Sequence, residues 1–189
     1  MPRAALIALL LLAALPAAVR ADRQMDPELR GVLADALQPA DCFADRYERA
    51  VWFAFMEPRL SRYVKDDQER EQILHHVHCE ARRVDVPPEL VLAVMDVESR
   101  FDRYAVSSAG AVGLMQVMPF WPGELGMSNE QLIRIPDNVR MGTTILGYYL
   151  RKERGNYQRA LQRYNGSLGR PTYSDLVIDR LLSRWRYDH

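Results

Sequence analysis

Residues 90–97 constrain this chain more than any other stretch, because they are apolar on nearly every helical face. Leu90, Val91, Leu92, Val94, Met95 and Val97 leave no polar side for water, so a helix here must be wrapped by other elements. Pro87 and Pro88 mark its start, where a missing N–H costs little. Elsewhere the apolar periodicity is also helical, which predicts an all-α (mainly α) fold, with room for a small hairpin only inside the 103–113 loop. The glycines and prolines cluster at 110–126 and 155–171, where loops are expected.

The enveloped helix ends in Glu98. Apolar surroundings disfavour the charged carboxylate and raise its pKa, and a helix C-terminus adds its own penalty. A general acid working near neutral pH needs that property. The plainer alternative is a solvated helix-end carboxylate. Against it stands the loop that follows: residues 107–113 have small side chains, suited to a bulky ligand or a tight backbone turn. Gln116 and Met118 then present an amide and a thioether.

Residues 98–119 read ES-x-F-x-x-x-A-x-S-x-x-G-A-x-G-L-M-Q-x-M-P. This resembles the signature of the lytic transglycosylases of the soluble (SLT, goose-type-lysozyme-like) family. Residues 160–166, ending in Tyr164, Asn165 and Gly166, resemble that family's A-Y-N-x-G motif, and residues 137–142 resemble its N-I-x-x-G helix start. The likeness covers roughly residues 84–182, and so many chemically unlike positions are far more specific than one short motif. Two departures stand out: Arg163 replaces the usual small residue before Tyr164, and Gly166-Ser167 replaces Ala-Gly.

The resemblance implies a lysozyme-like catalytic domain at residues 84–189; residues 22–83, largely outside the recognised stretch, are read from their helical periodicity as an N-terminal helical extension packed on the core. It implies cleavage of MurNAc–GlcNAc β-1,4 bonds in peptidoglycan glycan strands, without a cofactor. Most glycosidases use two carboxylates, whereas only Glu98 is carried by the motif; Asp96 and Asp102 are not. The family's chemistry resolves this shortage by letting one glutamate act first as acid and then as base, leaving a 1,6-anhydro-muramic acid end. Ser107, Gln116, Met118 and Tyr164 match positions that line the glycan groove, while Asn165 shapes the turn beside it and Ser99 bonds neighbouring backbone. A lysozyme-type hydrolase and a non-catalytic wall-binding or assembly factor are the competing readings. The protein is expected to act as a monomer, with cell-wall or secretion machinery as candidate partners.

Residues 1–21 read as a secretory signal, with Arg3, an apolar core at 4–15 and a small-residue cleavage site at Ala21. The core is too short to span a bilayer and no cysteine follows it directly, so export to the periplasm is expected rather than anchoring. Losing Arg3 and Arg20 takes the formal net charge from zero to −2, which argues against nucleic-acid binding. The portion from Arg151 onward is locally basic, with nine Arg or Lys against four acids. A solvated, ion-paired surface explains this most simply; weak attraction to an anionic polymer is the functional alternative.

Cys42 and Cys79, in an exported chain, are read as one disulfide. His75, His76 and His78 crowd Cys79, but without a second ligand pair at zinc-site spacing no metal is expected, and the histidines are placed on the surface. Helices are expected at 27–37, 44–56 (Tyr47, Val51, Trp52 and Phe55 inward, stopped by Pro58) and 66–83. Others are expected at 138–154 (capped by Asp137), 157–164 and 173–187 (Leu176, Val177, Leu181 and Trp185 inward). Ser128 and Gln131 form a capping-box pattern, and Gly142 and Gly147 point to a helix packed close.

Overall fold

A computed structural model of the protein describes residues 26–35, 42–43, 46–124 and 127–186; the expected secretory segment lies outside them. Among the described residues the fold is all-α. Its helices are α1 (Pro27–Asp35), α2 (Arg46–Leu60), α3 (Asp67–Arg83), α4 (Pro88–Glu98), α5 (Phe120–Glu124), α6 (Ile135–Lys152), α7 (Tyr157–Tyr164) and α8 (Thr172–Arg180). A 3-10 turn, Asn129–Ile133, leads into α6, and a π-helical turn, Leu181–Trp185, prolongs α8. The 103–113 loop carries isolated antiparallel bridges, Val106 with Val112 and Val112 with Val117, in place of a full hairpin. None of the described helices is long and apolar enough to cross a membrane.

Helix α4 is the enveloped one. Leu90, Val91, Leu92, Ala93, Val94 and Met95 are all shielded from solvent, with α3, α8 and the π turn packed around them. Each large apolar side chain so buried contributes about 1.5–3 kcal/mol. Helix α6 lies across α3 and α7. Its two glycines do mark close approaches, but to loop residues rather than to a helix. A Cβ on Gly142 would lie 2.5 Å from Met115 Sδ, and one on Gly147 would lie 2.9 Å from Val84 Cβ.

Several local expectations are corrected. Pro58 does not stop α2, which runs on to Leu60 because Met56 and Leu60 bury there beside Trp52. That face follows the spacing 52, 56, 60, so Tyr47, Val51 and Phe55 fall on the exposed side. Helix α6 begins at Ile135, and Asp137 stands in its first turn instead of capping it. Leu176 on α8 is exposed, whereas Val177 and Trp185 are buried as expected. A five-residue helix, α5, occupies part of the stretch read as loop. The caps at Asp66, which accepts the Glu69 N–H at 2.7 Å, and at Ser128, whose N–H reaches Gln131 Oε1 at 2.8 Å, follow the pattern.

Cys42 and Cys79 form the disulfide, closing a separation of 37 residues, a loop for which chain entropy gives a stabilisation of about 3–4 kcal/mol. Of the histidines beside it, His75 and His76 are half-buried and His78 is not on the surface. His78 is buried, stacked on Phe43 at 4.2 Å and tilted against Trp52 at 5.3 Å. Burial pushes its pKa down, favouring the neutral imidazole, with the Glu48 carboxylate opposing this in part. Ligand atoms of Cys42, His75 and Cys79 lie within 4.8 Å of one another, but both sulfurs are committed to the disulfide.

Candidate active site

Glu98 is the last residue of α4, and the chain turns sharply after it. Ser99 donates its backbone N–H to the Met95 carbonyl at 3.1 Å and its hydroxyl to the Leu114 carbonyl at 2.8 Å. Its Oγ also accepts the Phe101 N–H at 3.1 Å. Arg100 and Phe101 both take left-handed backbone, φ 53° and 66°, which bulky side chains adopt only under tertiary constraint. The constraint is visible: the Phe101 ring is buried, 5.1 Å from Tyr63 and 5.2 Å from Trp185.

The Gly113–Gln116 loop is pinned over this end by one buried amide. Asn138 on α6 donates to the carbonyls of Val112 (2.9 Å) and Leu132 (2.8 Å) and accepts the Met115 N–H at 2.8 Å. Gly113 has φ 80°, and a Cβ there would sit 2.3 Å from Asn138 Nδ2, so no larger residue fits. The Met115 carbonyl accepts the Tyr164 hydroxyl at 2.7 Å, which ties α7 to the same loop.

The Tyr173 hydroxyl, from the first turn of α8, donates to Glu98 Oε1 at 2.6 Å. Burial lifts the Glu98 carboxyl from its ordinary 4.5 to about 7, and the Tyr173 bond offsets part of that rise by favouring the carboxylate. Burial, and then the Glu98 charge, push the phenols of Tyr164 and Tyr173 well above their ordinary value, so both remain hydroxyl donors at neutral pH. A carboxyl titrating near 7 can give a proton in one step and take one in the next.

No second described carboxylate joins it. Asp96, two residues earlier, is buried but accepts hydrogen bonds from Trp185 Nε1 (3.1 Å), Arg184 Nη1 (3.3 Å) and Tyr63 (3.3 Å). Asp102 is exposed and closes a turn by accepting the Tyr104 N–H at 2.9 Å.

Of the other residues singled out in the sequence, Ser107, Gln116 and Met118 lie on the loops between α4 and α5, and the polar atoms of Ser107 and Gln116 are already partly engaged. Ser107 Oγ accepts the Ala111 N–H at 3.0 Å, which leaves its hydroxyl proton to donate. Gln116, at φ 49°, donates its amide to the carbonyls of Ala105 (3.1 Å) and Gly113 (3.0 Å). Both amide protons of Gln116 are thus engaged, which leaves Oε1 as an acceptor. Met118 is half-buried against the core, and Asn165 is exposed at the C-terminal cap of α7, with Gly166 (φ 69°) next. Sequence reasoning missed Tyr173. It reads there as an ordinary aromatic at a helix start, and its partner lies 75 residues away.

Residues 77–172, just over half of the chain, match the family model "Transglycosylase SLT domain". Membrane-bound lytic murein transglycosylase C of Yersinia pestis is 32% identical over 119 residues, covering 54% of this chain and 33% of that protein. The protein of the same name from Actinobacillus pleuropneumoniae is 52% identical over 48 residues, 25% of this chain and 13% of that one. The chain thus spans a third or less of the curated relatives it matches. An inactive mutant of lytic transglycosylase Slt from Pseudomonas aeruginosa aligns with a TM-score of 0.47 at 26% identity, covering 86% of this chain and 28% of that one. With Glu98 and the Gly113–Gln116 loop both inside the matched span, the chain belongs to the transglycosylase SLT domain family.

Proposed function

We propose that this protein is a lytic transglycosylase that cleaves MurNAc–β-1,4–GlcNAc bonds of peptidoglycan and leaves 1,6-anhydroMurNAc ends. The observation that carries this is a carboxyl held to about 7 by burial and bonded by Tyr173, with no second acid beside it among the described residues. Protonated Glu98 gives its proton to the glycosidic oxygen as the bond to the anomeric carbon breaks. The acetamido oxygen of the MurNAc closes onto that carbon as the leaving sugar departs. Glu98, now a carboxylate, takes the proton of the 6-hydroxyl, whose oxygen displaces the acetamido oxygen at the anomeric carbon. The acid is regenerated and no water is consumed.

In this scheme the Tyr173 hydroxyl stabilises the carboxylate midway. Tyr164 faces the acetamido group, Ser107 donates to the sugar, Gln116 accepts from it through Oε1, Met118 supplies apolar contact and Asn165 shapes the adjoining turn. Export of the chain by residues 1–21 to the periplasm, where the glycan lies, completes the proposal. Glu98→Gln keeps the shape and removes the proton. Clearing of purified sacculi is expected to fall by roughly 10²–10⁴-fold with the circular dichroism spectrum unchanged. Clearing at the parent rate overturns the assignment.

A further inference from the structure

Two cavities and one helix face are not used by this reaction. A cavity of about 570 Å³ opens between the end of α2 and the π turn, lined by Arg59, Arg62, Arg184 and Arg186 with Tyr63 and Trp185. Four guanidiniums and no carboxylate line it among the described residues, in a chain whose formal net charge is zero. Arg184 is shared with a second cavity of about 350 Å³, to which Arg100, Leu176 and Arg180 also contribute. The one acid in that second lining, Asp96, is already engaged by Arg184 and Trp185.

The second cavity is also lined by Asp96 and Val97, the residues just before Glu98 in α4. Tyr173, Leu176, Arg180 and Arg184 follow at spacings of three and four residues, which places them along one side of α8 and its π turn. The stripe begins at the hydroxyl bonded to Glu98 and ends in the arginine cavity. At 1.5 Å per residue it is about 16 Å long, the reach of four or five extended peptide residues.

We infer that the stripe and the arginine cavity bind the carboxylates of the peptide stem attached to the glycan strand whose sugar occupies the Glu98 site. This rests on the glycan-cleaving function proposed above. Guanidinium forks pair with carboxylates in a two-point geometry. They pair with phosphate as well, so a phosphate-bearing polymer is the rival occupant. Continuity with Glu98 favours the stem: a peptide tethered to the bound sugar reaches the cavity as an intramolecular event, at high effective concentration.

The test is calorimetric titration of the protein with the free tetrapeptide released from peptidoglycan by amidase, and in parallel with inorganic polyphosphate. Each titration is repeated on Arg62→Glu, alone and combined with Arg59→Gln. Arg62 is exposed, so its variant folds even if the double variant does not. The tetrapeptide is expected to bind more weakly as salt rises and to lose roughly five- to tenfold in affinity in the variants. The ratio of kcat/KM on peptide-bearing to peptide-stripped glycan is expected to fall by a similar factor. No tetrapeptide binding, binding indifferent to the variants, or an unchanged ratio overturns the inference, and so does capture of polyphosphate in place of the peptide. Titration needs no bond cleavage, so it distinguishes failure of this site from failure of the transglycosylase proposal.

Discussion

Replacing Tyr173 by Phe isolates the contribution of one hydroxyl to the proton chemistry of Glu98. The hydroxyl lies 2.6 Å from Glu98 Oε1, and the value of about 7 is the balance between burial, which raises it, and this bond, which lowers it. Phenylalanine keeps the ring and therefore the burial. A hydrogen bond to a charged group contributes about 1.5–3 kcal/mol, and about 1.4 kcal/mol corresponds to tenfold in an acid constant. The carboxylate loses a stabilising partner, so the carboxyl holds its proton to a pH about one to two units higher. At pH 8 about one parent molecule in ten carries the proton, against half or more of the variant. The assay is clearing of sacculi from pH 5 to 9. The falling alkaline limb is expected to move up by about one pH unit or more, with a lower plateau because the carboxylate intermediate is less stable. A limb that stays in place, or moves down, refutes the reasoning.

Two further outcomes follow from the same geometry. The Glu98 carboxyl titrates at about 7 when folded against an ordinary 4.5, so the stability it contributes is complete below pH 4.5 and is lost as pH rises through 7. Glu98→Gln is therefore expected to be more stable than the parent at pH 8, by on the order of 2–3 kcal/mol, with the gap closing below pH 4.5 in urea titrations; a gap independent of pH contradicts this. Asn138→Ala strands the Met115 N–H and the Leu132 carbonyl inside the fold, while the Val112 carbonyl keeps the Val117 N–H at 3.0 Å. A loss of about 3 kcal/mol is expected by urea denaturation, together with reduced clearing, and an unchanged midpoint would show that the amide does not hold the loop.

The central helix was legible because Asp96 is the one polar residue in 90–97, too little to make a wet face, so the pattern points to burial on all sides. Helix α7 matched its expected bounds because a capping Asn156 and Gly166 bracket it. Helix α2 was misread because Tyr47, Val51 and Phe55 offered one apolar stripe and Trp52, Met56 and Leu60 another, and only the neighbouring elements decide which is buried. His78 was misplaced for the same reason: its stacking partner, Phe43, is brought to it by the disulfide next door. At the site, one continuous segment pointed to Glu98, and the family resemblance pointed to the loop through Met118. Tyr173 and the pinning by Asn138 arise from contacts 75 and 23 residues apart, which no local pattern encodes.

Mass analysis of the sugar ends released from purified sacculi bears most directly on whether one carboxyl, cycling between acid and base, performs the cleavage. The account predicts 1,6-anhydroMurNAc ends from the parent and none from Glu98→Gln. Reducing MurNAc ends, with oxygen incorporated from labelled water, would contradict it.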